Sequence, residues 1–306
     1  MKRREFIIKS VTAGATVGLT TLPLFNIIGA SKKSTTSVKY DLVAIRGGEP
    51  DVMFNRAIQS LGGLSNFVKP NQTVVIKPNI GWDVVPERAA NTNPILIKEI
   101  VKQCYGAGAK EVFVFDHTCD EWSRCYSNSG IKSAAESAGA TVVPGNYEKY
   151  YQKVDIPKGI NMKDAKVHEL ILDSDVFINV PILKHHGGAQ LSLGMKNLMG
   201  VVWDRQYWHR NNLHQCIADF VTWRKPHLTV IDGYLSLKRN GPRGVSTDDV
   251  ITMKTQIISA DIVAADAAAA KFFGEEPEKI GHIKIAGAMK SGVINLDKLS
   301  IDRIKL

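Results

Sequence analysis

The sequence predicts an α/β fold: a mainly parallel sheet with helices on both faces and a ligand crevice at the carboxyl ends of the strands. Two observations carry this. Short apolar runs alternate with segments of helical spacing, and the runs are nearly continuously apolar, as strands buried on both faces must be. Four of the runs then end in polar clusters: Lys77 with Asn79, Asp116 with His117, Lys184 with His185 and His186, and Asp232. In open α/β sheets ligands bind outside the carboxyl ends of the strands, so these clusters, far apart in the chain, are predicted to converge.

Residues 40–46 are the first expected strand, ending at Gly47-Gly48. Residues 51–61 place Val52, Met53, Ala57, Ile58 and Leu61 at helical spacing, and Gly62-Gly63 stops that helix. Residues 73–76 are a buried strand that runs into Lys77-Pro78-Asn79. After a long polar loop at 81–93, Asn93 caps a helix with Pro94 in its first position, and Gly106-Ala107-Gly108 ends it. A strand at 111–115, a helix near 131–138 and a strand at 141–143 follow, and residues 147–172 read as a less regular, peripheral excursion.

The chain is organised around residues 175–202. An apolar strand drops into Lys184-His185-His186-Gly187-Gly188, and a short helix carrying Lys196 and Asn197 follows. A glycine turn leading into a helix would offer backbone N–H groups to an anion. Residues 211–223 are an amphipathic helix, and 228–231 a strand ending at Asp232. Residues 238–246 form a glycine and proline loop, and 252–259 a further strand. Asp261 caps a helix over 262–273, with Asp266 inside it packed against an arginine, and Gly274 stops it. A helix from 277 towards 289 and a strand at 299–306 close the chain.

The 306 residues, 44% hydrophobic, suffice for one large core. They divide into a signal segment at 1–30, a polar linker at 31–39 and a single α/β domain at 40–306. Of the net charge of +9, three come from Lys2, Arg3, Arg4 and Lys9 against Glu5, and no run of five or six basic residues follows. That pattern excludes a nucleic-acid footprint and leaves a mild attraction for small anions. Four cysteines, Cys104, Cys119, Cys125 and Cys216, lack the spacing of a zinc or iron–sulfur set. Cys119 and Cys125 are read either as a disulfide or as two free thiols.

Residues 2–9, KRREFIIK, resemble the twin-arginine export motif, and small apolar residues run from there to Ala30. The resemblance implies the twin-arginine export machinery as a partner. It also implies a location in the periplasm or on the outer face of the cytoplasmic membrane, and no stable membrane span after cleavage. An uncleaved anchor is the alternative. Farther on, IKPN at 76–79, NTNP at 91–94, AGAKEVFVFD at 107–116, NVPILKHH at 179–186, LGMKNLMG at 193–200, LTVIDGY at 228–234 and GPRG at 241–244 stand in one order. With ADIVAADAAAAKFFG at 260–274 they resemble domain-of-unknown-function family 362 over about residues 40–290. Some relatives add ferredoxin-like cysteine clusters; this chain has no such motif.

An ammonium in an apolar frame needs an anion. Lys184 and Lys196 are therefore read as an anion clamp or a general base, the plainer alternative being ion pairs with Asp116 or Asp232. His185 and His186 serve acid–base chemistry, with Asp116 or Asp232 to orient a histidine. The alternative is a single metal ion on a set drawn from His185, His214 and Asp116. Lys77, Asn79, Asn197 and His214 are expected to contact substrate. The resulting expectation is an enzyme acting on a small anionic molecule, with a non-catalytic binding protein for such an anion or a cofactor as the second reading.

Overall fold

The computed structural model describes residues 39–306, which fall within one compact unit. The twin-arginine motif, the expected signal segment and the linker up to residue 38 lie outside the described residues. Strand β1 (Leu42–Arg46) is followed by helix α1 (Pro50–Ser60), β2 (Thr73–Pro78), α2 (Pro94–Gly106) and β3 (Glu111–Val114). Helices α3 (Trp122–Asn128) and α4 (Ile131–Ser137), then β4 (Thr141–Val142), complete the first half. Next come β5 (Tyr151–Asp155), β6 (Asp164–His168), α5 (Glu169–Asp173), β7 (Val176–Val180), β8 (Lys184–His186), β9 (Gln190–Ser192) and α6 (Gly194–Asn197). The chain closes with α7 (Arg205–Arg210), α8 (Leu213–Trp223), β10 (Leu228–Leu237), β11 (Val250–Ser259), α9 (Ile262–Phe273), α10 (Gly281–Ala288) and β12 (Ile301–Lys305).

Eight strands form one sheet in the order β12-β1-β11-β10-β7-β2-β3-β4. Every neighbouring pair is parallel except the two that β11 makes, with β1 and with β10. The mainly parallel sheet expected from the continuous apolar runs is thus present, with one reversed strand. Alternate residues feed two cores. Leu42, Val75, Phe177, Ile231 and Ile257 face α6, α8, α9 and α10, while Val43, Val74, Ile76, Ile178 and Val230 face α1, α2, α3 and α4. Burying each such side chain is worth about 1.5–3 kcal/mol, which is why both strand parities must be apolar.

Local signals explain most element ends. The Asn93 side chain accepts from the Ile95 N–H at 2.9 Å with Pro94 in the first helical position. Asp261 accepts from Val263 and Ala264, and Gly274 closes α9 at φ 93°, a backbone geometry open to glycine. Several expectations are corrected. The stretch between Cys119 and Cys125, where no element is expected from the sequence, turns into α3 at Trp122, because the Glu121 carboxylate accepts from the Ser123 and Arg124 N–H groups. The irregular excursion is a β5–β6 hairpin followed by α5. Gly187-Gly188 does not lead into a helix: it is the tip of a second hairpin, β8–β9. Among the described residues no helix is long and apolar enough to cross a membrane.

Candidate functional site

The carboxyl ends of β2, β3 and β7 open on one cleft of about 370 Å³. Seven of the ten residues singled out in the sequence line it: Lys77, Asn79, Asp116, Lys184, His186, Lys196 and Asn197. Three do not. His185 points to the opposite side of β8 from Lys184 and His186, as alternation along a strand requires, and its Nδ1 accepts from the Gly241 N–H at 3.1 Å. His214 stacks on the buried His282, ring centroids 5.6 Å apart, and accepts from the His282 backbone N–H. Asp232 is a buried strut: it accepts from the Asn93 and Tyr234 N–H groups, and burial pushes its carboxyl up to about 6.

The cleft wall is a closed polar network. The Lys77 ammonium is 2.9 Å from Asp116 Oδ1 and donates to Asn197 Oδ1 and the Pro78 carbonyl, both at 2.8 Å. An ammonium has three donors, so Lys77 is saturated and has nothing left for a ligand. Asp116 Oδ2 accepts from the Ile80 N–H. The Asn197 amide nitrogen donates to Asn179 Oδ1 at 2.9 Å, and the Asn179 amide donates to the Gly194 carbonyl. Gly200 allows this approach, since a Cβ there would stand 1.9 Å from Asp116 Oδ1 and 2.7 Å from Lys77 Nζ.

Asp266, expected beside an arginine, instead holds α6 in place. It is fully buried in α9 and accepts from the Gly194 and Met195 N–H groups at 2.6 and 2.9 Å. Burial pushes its carboxyl up to about 8, with those two donors acting the other way. The four-residue helix carrying Lys196 and Asn197 is therefore capped from another element.

The remaining cations are differently placed. Lys184, 1% exposed, donates to the Ala90 carbonyl at 2.5 Å and makes no ion pair among the described residues. Burial draws it down to about 7. Lys196 is partly buried and has neither hydrogen bond nor ion pair there. Burial draws it down to about 8; Arg205 and Lys77 push the same way and Cys119 the other, and water in the open cleft moderates the fall. The ion pairs read as the plainer alternative for Lys184 and Lys196 are thus not made: Asp116 is taken by Lys77, and Asp232 lies elsewhere. His186 Nδ1 accepts from the Gly188 and Ala189 N–H groups, which leaves Nε2–H as its donor, and burial, with the Lys196 and Lys184 charges acting the same way, draws the imidazole down to about 3. Contrary to expectation, no carboxylate partners this histidine among the described residues; backbone amides orient it.

Sequence reasoning missed Arg205, His209 and Cys119 as cleft residues; they line it together with His117, which the sequence places with Asp116 at the crevice. Arg205 donates to the carbonyl oxygens of His117 and Thr118 and reaches Cys119 Sγ at 3.2 Å. His117 stacks on Trp203 with ring centroids 5.0 Å apart and donates to the Val202 carbonyl. Cys119 and Cys125 are free thiols, the first exposed and the second buried. No three His, Cys, Asp or Glu side chains among the described residues are grouped to hold a metal ion. The proposed set of His185, His214 and Asp116 is divided between the Gly241 loop, the His282 stack and the Lys77 pair.

The family described as "Domain of unknown function (DUF362)" matches residues 74–271. A thylakoid-associated protein of Synechocystis sp. is 26% identical over 220 residues, covering 68% of this chain and 67% of its own. Two solved structures are similar over 79% of this chain. One is the lactate racemase apoprotein of Thermoanaerobacterium thermosaccharolyticum, at 12% identity and a TM-score of 0.44. The other is a protein from Thermotoga maritima, at 10% identity and a TM-score of 0.46. The matched regions span 58% and 60% of those two chains, less than two thirds of each.

Proposed function

The chain belongs to the DUF362 family, and from that premise we propose that it is an enzyme acting on a small anionic molecule held in the cleft at the carboxyl ends of β2, β3 and β7. One observation carries this reading. Among the described residues Asp116 is the only carboxylate lining the cleft, and it is spent on Lys77, while Lys184, Lys196 and Arg205 face the same space without a counter-ion. A carboxylate or phosphate supplies the missing charge, and the low dielectric of the walls strengthens the attraction. Lys184 binds the anion, and its amine, near neutrality, moves a proton to or from it. His186 donates a hydrogen bond from Nε2 and stays uncharged.

The test is calorimetric titration with oxalate and with inorganic phosphate. Saturable binding that weakens with salt and is lost in Lys184→Met supports the reading; equal binding to wild type and variant defeats it. The second reading, a binding protein without turnover, is favoured by the lack of a carboxylate–histidine pair in the cleft. It predicts that ligands bind and leave unchanged. We also propose export by the twin-arginine route, supported by Arg3-Arg4 and the apolar stretch behind them. The thylakoid association of the Synechocystis relative is in keeping with a place at a membrane. Fusing residues 1–30 to a reporter that is active only outside the cytoplasm tests it, with Arg3→Lys/Arg4→Lys as the expected loss.

A further inference from the structure

Lys196 differs from the other cations of the cleft in having no partner among the described residues. Lys77 is saturated, Lys184 donates to the Ala90 carbonyl, and Arg205 gives three of its five N–H donors to two carbonyl oxygens and the Cys119 thiol, which leaves two for a ligand. Lys196 stands among them without hydrogen bond or ion pair among the described residues, in open contact with the cleft. The groups facing it are mostly cationic or neutral. Lys77 comes from β2, Lys184 and His186 from β8, and Arg205 and His209 from α7, with Cys119 and the already paired Asp116 in the loop after β3. A partly buried primary amine crowded by cations gives up its proton more readily than a surface lysine, and the uncharged amine is a nucleophile. Lys184, 1% exposed and tied to the Ala90 carbonyl, is the less accessible amine for addition to a carbonyl, and with an anion bound it keeps its proton and holds that anionic group beside Lys196. The cleft thus separates two roles that the same side chain plays elsewhere.

We propose that Lys196 forms a Schiff base with the carbonyl carbon of an anionic substrate of the 2-oxo-acid class, whose carboxylate is held by Lys184 and Arg205. The Nζ lone pair adds to the carbonyl carbon and the C=O π pair moves to oxygen, which takes up the proton shed by nitrogen. The resulting carbinolamine loses its hydroxyl together with the remaining N–H proton as water, and the nitrogen lone pair closes the C=N bond. No oxidant or other co-reactant is required. Asn79 Oδ1, buried at the cleft without a hydrogen-bond partner, is an acceptor for the carbinolamine hydroxyl. The inference rests on the anion reading above and names its substrate class.

The experiment is reductive trapping. The folded protein is incubated at neutral pH with glyoxylate, an anionic aldehyde, and sodium borohydride, and adducts are located by intact mass and peptide mapping. The expected result is one carboxymethyl group on Lys196, formed at least about tenfold faster than on surface lysines and lost in Lys196→Arg, whose fold is checked by circular dichroism. Labelling spread over surface lysines, or an adduct that survives in Lys196→Arg, overturns the proposal. Mapping in the wild type decides the matter even if the variant fails to fold. Oxalate, which has no aldehyde or ketone carbon, separates the two readings: oxalate binding without a Lys196 adduct overturns the Schiff base and leaves the anion site standing, and neither binding nor adduct overturns both.

Discussion

Lys77 and Lys184 are both fully buried ammonium groups, yet their substitution has opposite consequences. Lys77→Met leaves Asp116 charged and 3% exposed with its cation gone, which costs about 3–5 kcal/mol. Urea unfolding should show that loss, and adding Asp116→Asn should recover part of it. Lys184 has no carboxylate to strand. Its amine titrates at about 7 in the fold against 10.5 in the unfolded chain. Between those values the unfolded chain holds the proton and the folded one does not, so this group makes stability rise with pH. Lys184→Met should remove that slope while weakening oxalate binding at least about tenfold, the worth of a charge-assisted hydrogen bond. In the wild type, oxalate affinity should fall between pH 6 and pH 9, roughly the span over which an amine of pKa about 7 loses its charge.

At the scale of elements, the site depends on α6, which is too short to hold itself. Asp266→Asn exchanges one carboxylate oxygen for an N–H facing another N–H, at a cost of about 1–3 kcal/mol. Oxalate binding should fail in a protein that still folds, because Lys196 and Asn197 lose their footing. Gly200→Ala drives a methyl group into the Lys77–Asp116 pair, and thermal unfolding should register about 1–3 kcal/mol of strain. Such dependencies divide what the sequence reveals from what it hides. Strands read as continuous apolar runs, and Lys77, Asp116 and Lys184 read as strand-end polar groups, because burial on both faces and chain direction are local properties. That Lys77 is saturated depends on Asn197, 120 positions away. That Asp266 caps α6 depends on Gly194, 72 positions away. Neither distance leaves a periodic trace. Arg205 and His209 lie on a six-residue helix with too few turns to show one, and the residue pair His185-His186 had to be separated by the β8–β9 hairpin before one could be called a cleft residue.

For the whole molecule, buried histidines outweigh buried carboxylates in setting acid stability. Burial draws His168 down to about 4 and His186 and His282 to about 3, from 6.5. Asp232 and Asp266 are pushed the other way, to about 6 and about 8, from 3.8. Below pH 6.5 the unfolded chain takes up protons that these three histidines refuse in the fold, and burial draws His117, His209, His214 and His227 the same way, while the fold keeps two that the unfolded carboxylates lack until pH 3.8. The balance favours unfolding on acidification, by about 1.4 kcal/mol per pH unit for each proton in excess. Urea midpoints at a series of acidic pH values should fall accordingly. The near-neutral amine of Lys184 adds something that no contact distance expresses. In the empty cleft near physiological pH it spends much of its time uncharged, and an arriving anion recharges it from the solvent. Each occupancy event then withdraws a proton from the surroundings and each departure returns it. The heat of titration should therefore vary with the ionisation enthalpy of the buffer, and in a weakly buffered compartment the protein would couple the supply of its ligand to the local acidity.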